Sequence, residues 1–215
     1  MRKIILSVLT LLLTVSLVNA QEETEKDYSK WQVRLRGLAV IPNESATIDV
    51  IGGDVDIETA FIPELDFTYF FTKNWAAELI LGTSNHDVKA ISTAAGDIEL
   101  GDVWLLPPTL TLQYHFLHGE SVRPYLGAGL NYTIFYDENN GPVADKVSYE
   151  NSLGYAFQFG IDFDLDNKWF INLDYKYILL DTDVTVDATT ALGATVGADV
   201  EINPAIIGVG FGRRF

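Results

Sequence analysis

Charged side chains recur at every second position inside otherwise apolar stretches: Arg34 and Arg36, Glu64 and Asp66, Glu78, Asp162 and Asp164, Asp174 and Lys176, and Arg214. Residues two apart on an extended strand point to one face. If the segments lie side by side, these residues form one surface carrying four cations and six carboxylates. Buried charges cost several kcal/mol each unless they are paired, so the chemistry expected of this set is ion pairing, with Arg34 and Arg36 against the carboxylates. His86, His115 and His118 are the only histidines, and they fall at different heights of the arrangement described below. There is no cysteine, hence no thiolate nucleophile, disulfide framework or Cys zinc site. No Ser-His-Asp constellation can be argued from the spacing. The chain is therefore read as a non-enzyme with no cofactor and no metal site.

The elements that must position these residues follow from a period of two. Leu153, Tyr155, Phe157, Phe159, Ile161, Phe163 and Leu165 alternate with Gly154, Ala156, Gln158, Gly160, Asp162 and Asp164, so one face is large and apolar and the other small or charged. Trp169 to Leu180 repeats the pattern, and six further segments follow it, starting near Trp31, Glu64, Ala77, Thr109, Leu126 and Ala205. Connections alternate between tight (72–74, 117–122, 166–168) and long (43–58, 85–102, 137–151, 181–199). This pattern predicts an all-β fold: an eight-stranded antiparallel transmembrane β-barrel with short periplasmic turns and long extracellular loops. A soluble up-and-down barrel is the alternative. It would put its polar face outward, leaving a face with Tyr155, Phe157, Phe159 and Phe163 in the core; the charged parity would then have to face water. In lipid the apolar face is the outer one, and Trp31, Trp75, Trp169, Phe71, Phe116 and Phe215 at strand ends fit interfacial girdles.

Export is written at the start of the chain. Met1-Arg2-Lys3 is basic, an apolar run broken only by Ser and Thr follows, and Val18-Asn19-Ala20 has small residues at the positions that a signal peptidase reads. The domains expected are a cleaved signal peptide (1–20), a flexible acidic segment (21–30) and the barrel (31–215); a retained anchor is the alternative for the first. Loss of Arg2 and Lys3 takes the formal charge from −16 to −18. That excess argues against nucleic acid as a partner, because phosphate binding needs a basic face.

Leu106 to Phe116 reads L-P-P-T-L-T-L-Q-Y-H-F, and Arg123 to Thr133 reads R-P-Y-L-G-A-G-L-N-Y-T. Together with His86-Asp87, Gly160-Ile161-Asp162, Asp181-Thr182 and the terminal Gly212-Arg213-Arg214-Phe215, these segments resemble the outer membrane protein W (OmpW) family, in that family's order. The resemblance implies a small monomeric barrel of the Gram-negative outer membrane, in contact with membrane lipid and lipopolysaccharide. It also implies passive uptake of small apolar solutes. The final Phe resembles the signal that outer-membrane barrels present to their insertion machinery.

With the short turns assigned to the periplasm, the inward residues sort by height. Leu38, Val40, Ile62, Ile80, Val103, Leu105, Phe135, Ile178 and Leu180 form an apolar outer half, and the charged set forms the inner half. An eight-stranded barrel is just wide enough for side chains to fill, so the charged set is expected to be a plug rather than a water channel. An apolar solute entering from outside would meet that plug, and leaving sideways into the bilayer is then the cheaper exit. Pro107 and Pro108 lack the N–H donors of a ladder, and they mark a place where the wall could open. The alternatives are that the nine apolar residues pack on one another as a core, and that the barrel is closed and presents its loops to surface partners. The acidic loops (Glu44, Asp49, Asp54, Asp56 and Glu58 in the first; Asp137, Glu138, Asp145 and Glu150 in the third) read as solvated charge, with cation bridging to lipopolysaccharide as the sharper reading.

Overall fold

The computed structural model describes residues 29–215; the expected signal peptide and residues 21–28 of the expected acidic segment lie outside the described residues. Chain order is β1 (Trp31–Ile41), β2 (Ser45–Ile48), β3 (Asp54–Ile57), β4 (Ala60–Phe70), β5 (Trp75–Gly82), β6 (Ser84–Thr93), β7 (Gly96–Leu106), β8 (Thr109–His115), β9 (Val122–Asn140), β10 (Lys146–Tyr149), β11 (Ser152–Asp164), β12 (Trp169–Leu179), β13 (Asp181–Ala188), β14 (Ala194–Glu201) and β15 (Ala205–Arg214).

Eight of these close a barrel in the order β1-β4-β5-β8-β9-β11-β12-β15, with β15 returning to β1 and every pairing antiparallel. Ladder bonds run through the seam: Phe215 N–H donates to the Trp31 carbonyl at 2.8 Å. Closure leaves no unpaired edge, the condition for crossing hydrocarbon with strands. The short turns, the start of β1 and the end of β15 share one rim. At the turn between β11 and β12, Asn167 and Lys168 take φ of 59° and 67°, the left-handed geometry that suits a tight hairpin.

Burial follows the alternation. On β11 Gly154, Ala156, Gln158, Gly160 and Asp162 point inward, while Leu153, Tyr155, Phe157 and Phe159 are exposed. Aromatic pairs stand at the periplasmic rim, Trp31 with Tyr69 at 4.8 Å and Trp75 with Tyr114 at 5.0 Å between ring centroids. Trp104 and Tyr136, 6.3 Å apart, mark the outer interface.

The long connections are mostly strands. β3, β6, β7 and the distal half of β9 make one sheet, and β10, β13, β14 and β2 make another; both extend the barrel wall outward past the Trp104–Tyr136 level. Their inner faces carry Val55, Val88, Ile98, Leu100, Val147, Val184 and Val200, all buried in one cluster with Leu38, Val103 and Ile178. Glu44 and Asp54 are half-buried, so the reading of the acidic loops as solvated charge needs correction for these two, whereas Asp145 is exposed. Asp54 Oδ1 accepts the Ala46 and Val55 backbone N–H groups at 2.7 and 2.9 Å, Glu44 Oε1 accepts from Ile57 N at 3.0 Å, and Asp145 Oδ2 accepts from Thr190 N at 2.8 Å. These carboxylates satisfy backbone donors that would otherwise be unpaired where strands begin and end.

Candidate functional site

The inner half of the lumen is built from residues that face each other across the ladders. Arg34 lies opposite Asp66 and Arg36 opposite Glu64 on the β1–β4 pair. Arg34 Nε donates to Asp66 Oδ1 at 2.8 Å and its Nη2 donates to Glu78. Arg36 Nε donates to Glu64 Oε1 at 2.7 Å and its Nη2 to Glu78 Oε1 at 2.9 Å, and its Nη1 lies 3.3 Å from Asp174 Oδ2. Nearer the periplasm Arg214 donates to Asp164 at 2.8 Å and to Asp162 at 3.1 Å. The ten charged residues singled out from the sequence thus share one network.

Sequence reasoning missed several of its members. Arg123 joins as a fifth cation, donating to Asp164 at 3.0 Å. It stands on the inward parity of β9, a signal that was available. Gln32, Thr68, Thr111, Gln113, Gln158 and Asn172 fill the gaps between charges and are all buried. Tyr125 donates to Asp174 Oδ2 at 2.5 Å and lies beneath the Arg34 guanidinium, 5.5 Å from its ring centroid. His115 stacks on Tyr125 at 4.8 Å and pairs with Gln113 Oε1 at 2.9 Å. These neutral groups use the remaining lone pairs and protons of the charges, as a buried ion-pair cluster requires. Among the described residues no cluster of three His, Asp or Glu side chains is disposed to hold a metal ion.

Above this layer the lumen is apolar. Leu38, Val40, Ile62, Ile80, Val103, Leu105, Phe135, Ile178 and Leu180 all line one cavity of about 120 Å³. The cavity continues outward between the two outer sheets, past Val88, Val184 and Val200. Phe135 and Tyr149 stack in its wall with rings 5.4 Å apart. The inner faces of β2, β3, β6, β13 and β14, and Ile98 and Leu100 on β7, were missed as lining. The signal was present: Val184-Thr185-Val186 and Val196-Gly197-Ala198-Asp199-Val200 alternate as strands do. Glu64 and Lys176 close the floor, with Thr109 and Thr133 beside them.

Pro107 lies in the cavity wall, whereas Pro108 does not line it. The two prolines separate β7 from β8 along the neighbouring β9: Leu106 pairs with Ile134, Thr109 with Asn131, and Tyr132 N donates to the Pro108 carbonyl at 3.0 Å. On the other side the ladder is interrupted. Ile80 pairs with Thr109 and Ser84 with Leu105, but no register joins Leu81, Gly82 and Thr83 to Leu106, Pro107 and Pro108. The Thr83 hydroxyl bridges the gap by donating to the Leu105 carbonyl at 2.8 Å, and it lies 2.6 Å from the Tyr136 hydroxyl.

At the outer end His86 is buried against the cavity. Its Nδ1 is 2.8 Å from the Glu58 carbonyl and its Nε2 3.0 Å from the Ser84 hydroxyl. Burial holds this imidazole below its ordinary value, although the Glu58 carbonyl and the Asp87 and Glu44 carboxylates favour the charged form.

The family model described as the OmpW family matches residues 28–215. The uncharacterized outer-membrane protein y4mB of Sinorhizobium fredii is 42% identical over 197 residues, covering 91% of this chain and 84% of that protein. Outer membrane protein W of Vibrio cholerae is 34% identical, covering 85% of this chain and 87% of that protein. The crystal structure of the outer membrane protein OprG from Pseudomonas aeruginosa superposes with a TM-score of 0.81 at 28% identity, covering 90% of this chain and 99% of that one.

Proposed function

The chain belongs to the OmpW family and is an eight-stranded outer-membrane barrel, and from that premise we propose that it gives small apolar molecules passive entry through its outer cavity. The observation that carries this reading is the division of one lumen into two media. The outer part is lined mainly by Val, Ile, Leu and Ala side chains, and the inner part is filled by paired charges. A cavity of about 120 Å³ approaches those that take a benzene-sized solute when lined by apolar groups.

A solute that leaves water for this cavity gains the transfer free energy of its apolar surface, about 25 cal/mol per Å². Going further inward would mean separating Arg34 and Arg36 from carboxylates that have no water to replace them, at several kcal/mol per ion. The charged layer therefore acts as a plug. The remaining route is the side wall at Pro107 and Pro108, where the ladder is interrupted and no row of backbone bonds has to break. Beyond that wall lies hydrocarbon, so the solute exchanges one apolar surrounding for another. In this reading residues 1–20 are removed as an export signal before assembly, residues 21–30 form an acidic lead-in, and Phe215 is presented to the insertion machinery. The barrel works as a monomer among lipid and lipopolysaccharide.

The test is flux into liposomes that carry the refolded protein and have lipopolysaccharide in the outer leaflet, which supplies the barrier that a bare bilayer lacks. Faster entry of an apolar solute, with no change for a polar one of similar size, is expected. Acceleration of both would overturn the plug and mean a wet pore. Acceleration of neither would overturn the conduit and leave a closed barrel that presents its outer sheets to partners.

A further inference from the structure

Lys176 stands at the boundary between the two media. On β12 it has Ile178 above it and Asp174 below it on the same inward face; it is a register partner of Gln158 on one side and of Ile206 on the other. Its side chain is 1% exposed and lines the cavity floor. Its ammonium makes two ion contacts, at 3.6 Å to Glu64 Oε2 and 4.0 Å to Asp174 Oδ1. Both are longer than a hydrogen bond, so its three N–H donors are held near charge without being hydrogen-bonded within the described residues. Glu64 is divided in a matching way. Its Oε1 takes Arg36, at 2.7 Å from Nε, while its Oε2 accepts no hydrogen bond from the described residues and faces Lys176.

Resting on the conduit reading, we infer that Lys176 and Glu64 hold the polar end of solutes that are apolar except for one neutral terminal hydroxyl. A hydroxyl accepts from Lys176 Nζ and donates to Glu64 Oε2, supplying both groups with the partner that the protein leaves out, and its hydrocarbon chain runs up the aliphatic column. A carboxylate head is disfavoured, because six carboxylates against five cations already make this layer formally anionic. An ammonium head meets the Lys176 charge directly. A pure hydrocarbon enters the same column but leaves both polar groups unsatisfied, so the hydroxylated solute binds better than its size-matched alkane once desolvated.

The experiment compares 1-octanol with octane in the lipopolysaccharide-coated liposomes, for wild type and Lys176→Met, with folding checked by heat-modifiable migration. The wild type should favour octanol over octane by about tenfold, the effect of a hydrogen bond to a charged group, relative to protein-free vesicles. The variant should bring the octanol-to-octane ratio down to that of protein-free vesicles. Equal ratios in both proteins, with octane entry intact, would overturn the role of Lys176 and leave the conduit standing. If neither solute is accelerated, or if the variant fails to fold, solid-state NMR on wild-type barrels decides. Close contact between the ¹³C-labelled C1 of octanol and the ¹⁵Nζ of Lys176 supports the site even without transport. Its absence overturns the site.

Discussion

Arg34 and Asp66 are direct register partners across the β1–β4 ladder, and the guanidinium meets the carboxylate at 2.8 Å. On the opposite flank Arg34 has Gly212 as its β15 partner, and Arg36 has Gly210. A Cβ at Gly212 would collide with Phe170 and come within 2.6 Å of Arg34 Cγ; one at Gly210 would lie 2.7 Å from Arg36 Cγ. Each arginine is thus given a carboxylate on one side and empty space on the other, and its stem folds into that space.

Replacing Arg34 by Met should destabilise the barrel by about 3–5 kcal/mol, because Asp66 and Glu78 remain buried without their cation. Urea unfolding in bilayers, followed by tryptophan fluorescence, measures this. A variant as stable as the wild type would mean that the network contributes no net stability at this position.

Val103 lies in the cavity wall at 2% exposure, well above the charged layer. Val103→Asp places an unpaired carboxylate in the apolar column, and apolar flux should fall at least tenfold while heat-modifiable migration stays native. Unchanged flux would exclude this column as the route.

Pro107→Ala with Pro108→Ala restores two backbone donors at the interrupted ladder. If the solute leaves there, its entry should slow severalfold, with resistance to urea equal to or above wild type. Faster flux, or none of these changes, would place the exit elsewhere.

The imidazole of His86 gives the outer sheets a pH dependence whose sign is fixed. In the unfolded chain it takes a proton near pH 6.5, whereas in the fold burial holds its value lower. Between those two values the unfolded state binds more protons, so stability rises with pH in that window. The contribution is complete above about pH 6.5 and is lost as pH falls through the folded value. Amide exchange in β3 and β6, corrected for intrinsic rates, should therefore be faster at pH 5 than at pH 7.5. His86→Gln should flatten the difference.

Much of this architecture was legible because the barrel writes its two faces in alternate residues. Leu153 to Asp164 shows both at once, and the glycines of β15 are the inward half of the same pattern. The ion pairs could be anticipated in kind, since Arg34, Arg36 and their carboxylates share a parity and must be buried. Partner choice could not, because it depends on which residues the stagger brings level. Arg123 and Tyr125 lie just before Leu126, where the alternating segment is read to begin, although they share the inward parity of Gly127 and Gly129. The outer sheets were harder still. Asp181, Asp183, Asp187 and Asp199 face outward on strands whose inner face is Val184, Val186, Val196 and Val200, and the acids hid an alternation that is as regular as that of the barrel proper. Pro107 and Pro108 are visible in the sequence as missing donors, but the matching gap in pairing at Leu81 to Thr83 is a property of the paired strands and of neither segment alone.

The alternation has one more consequence, for how such a wall reaches its destination. Beyond residue 20, no stretch of the chain carries the roughly 20 consecutive apolar residues that would lodge it in the first bilayer it meets. Along most of each strand the lipid-facing side chains are separated by small or polar ones, as on β11. The greasy surface exists only once strands are paired and all those side chains turn one way. Until then the chain passes for a water-soluble one, and it becomes a membrane protein by folding.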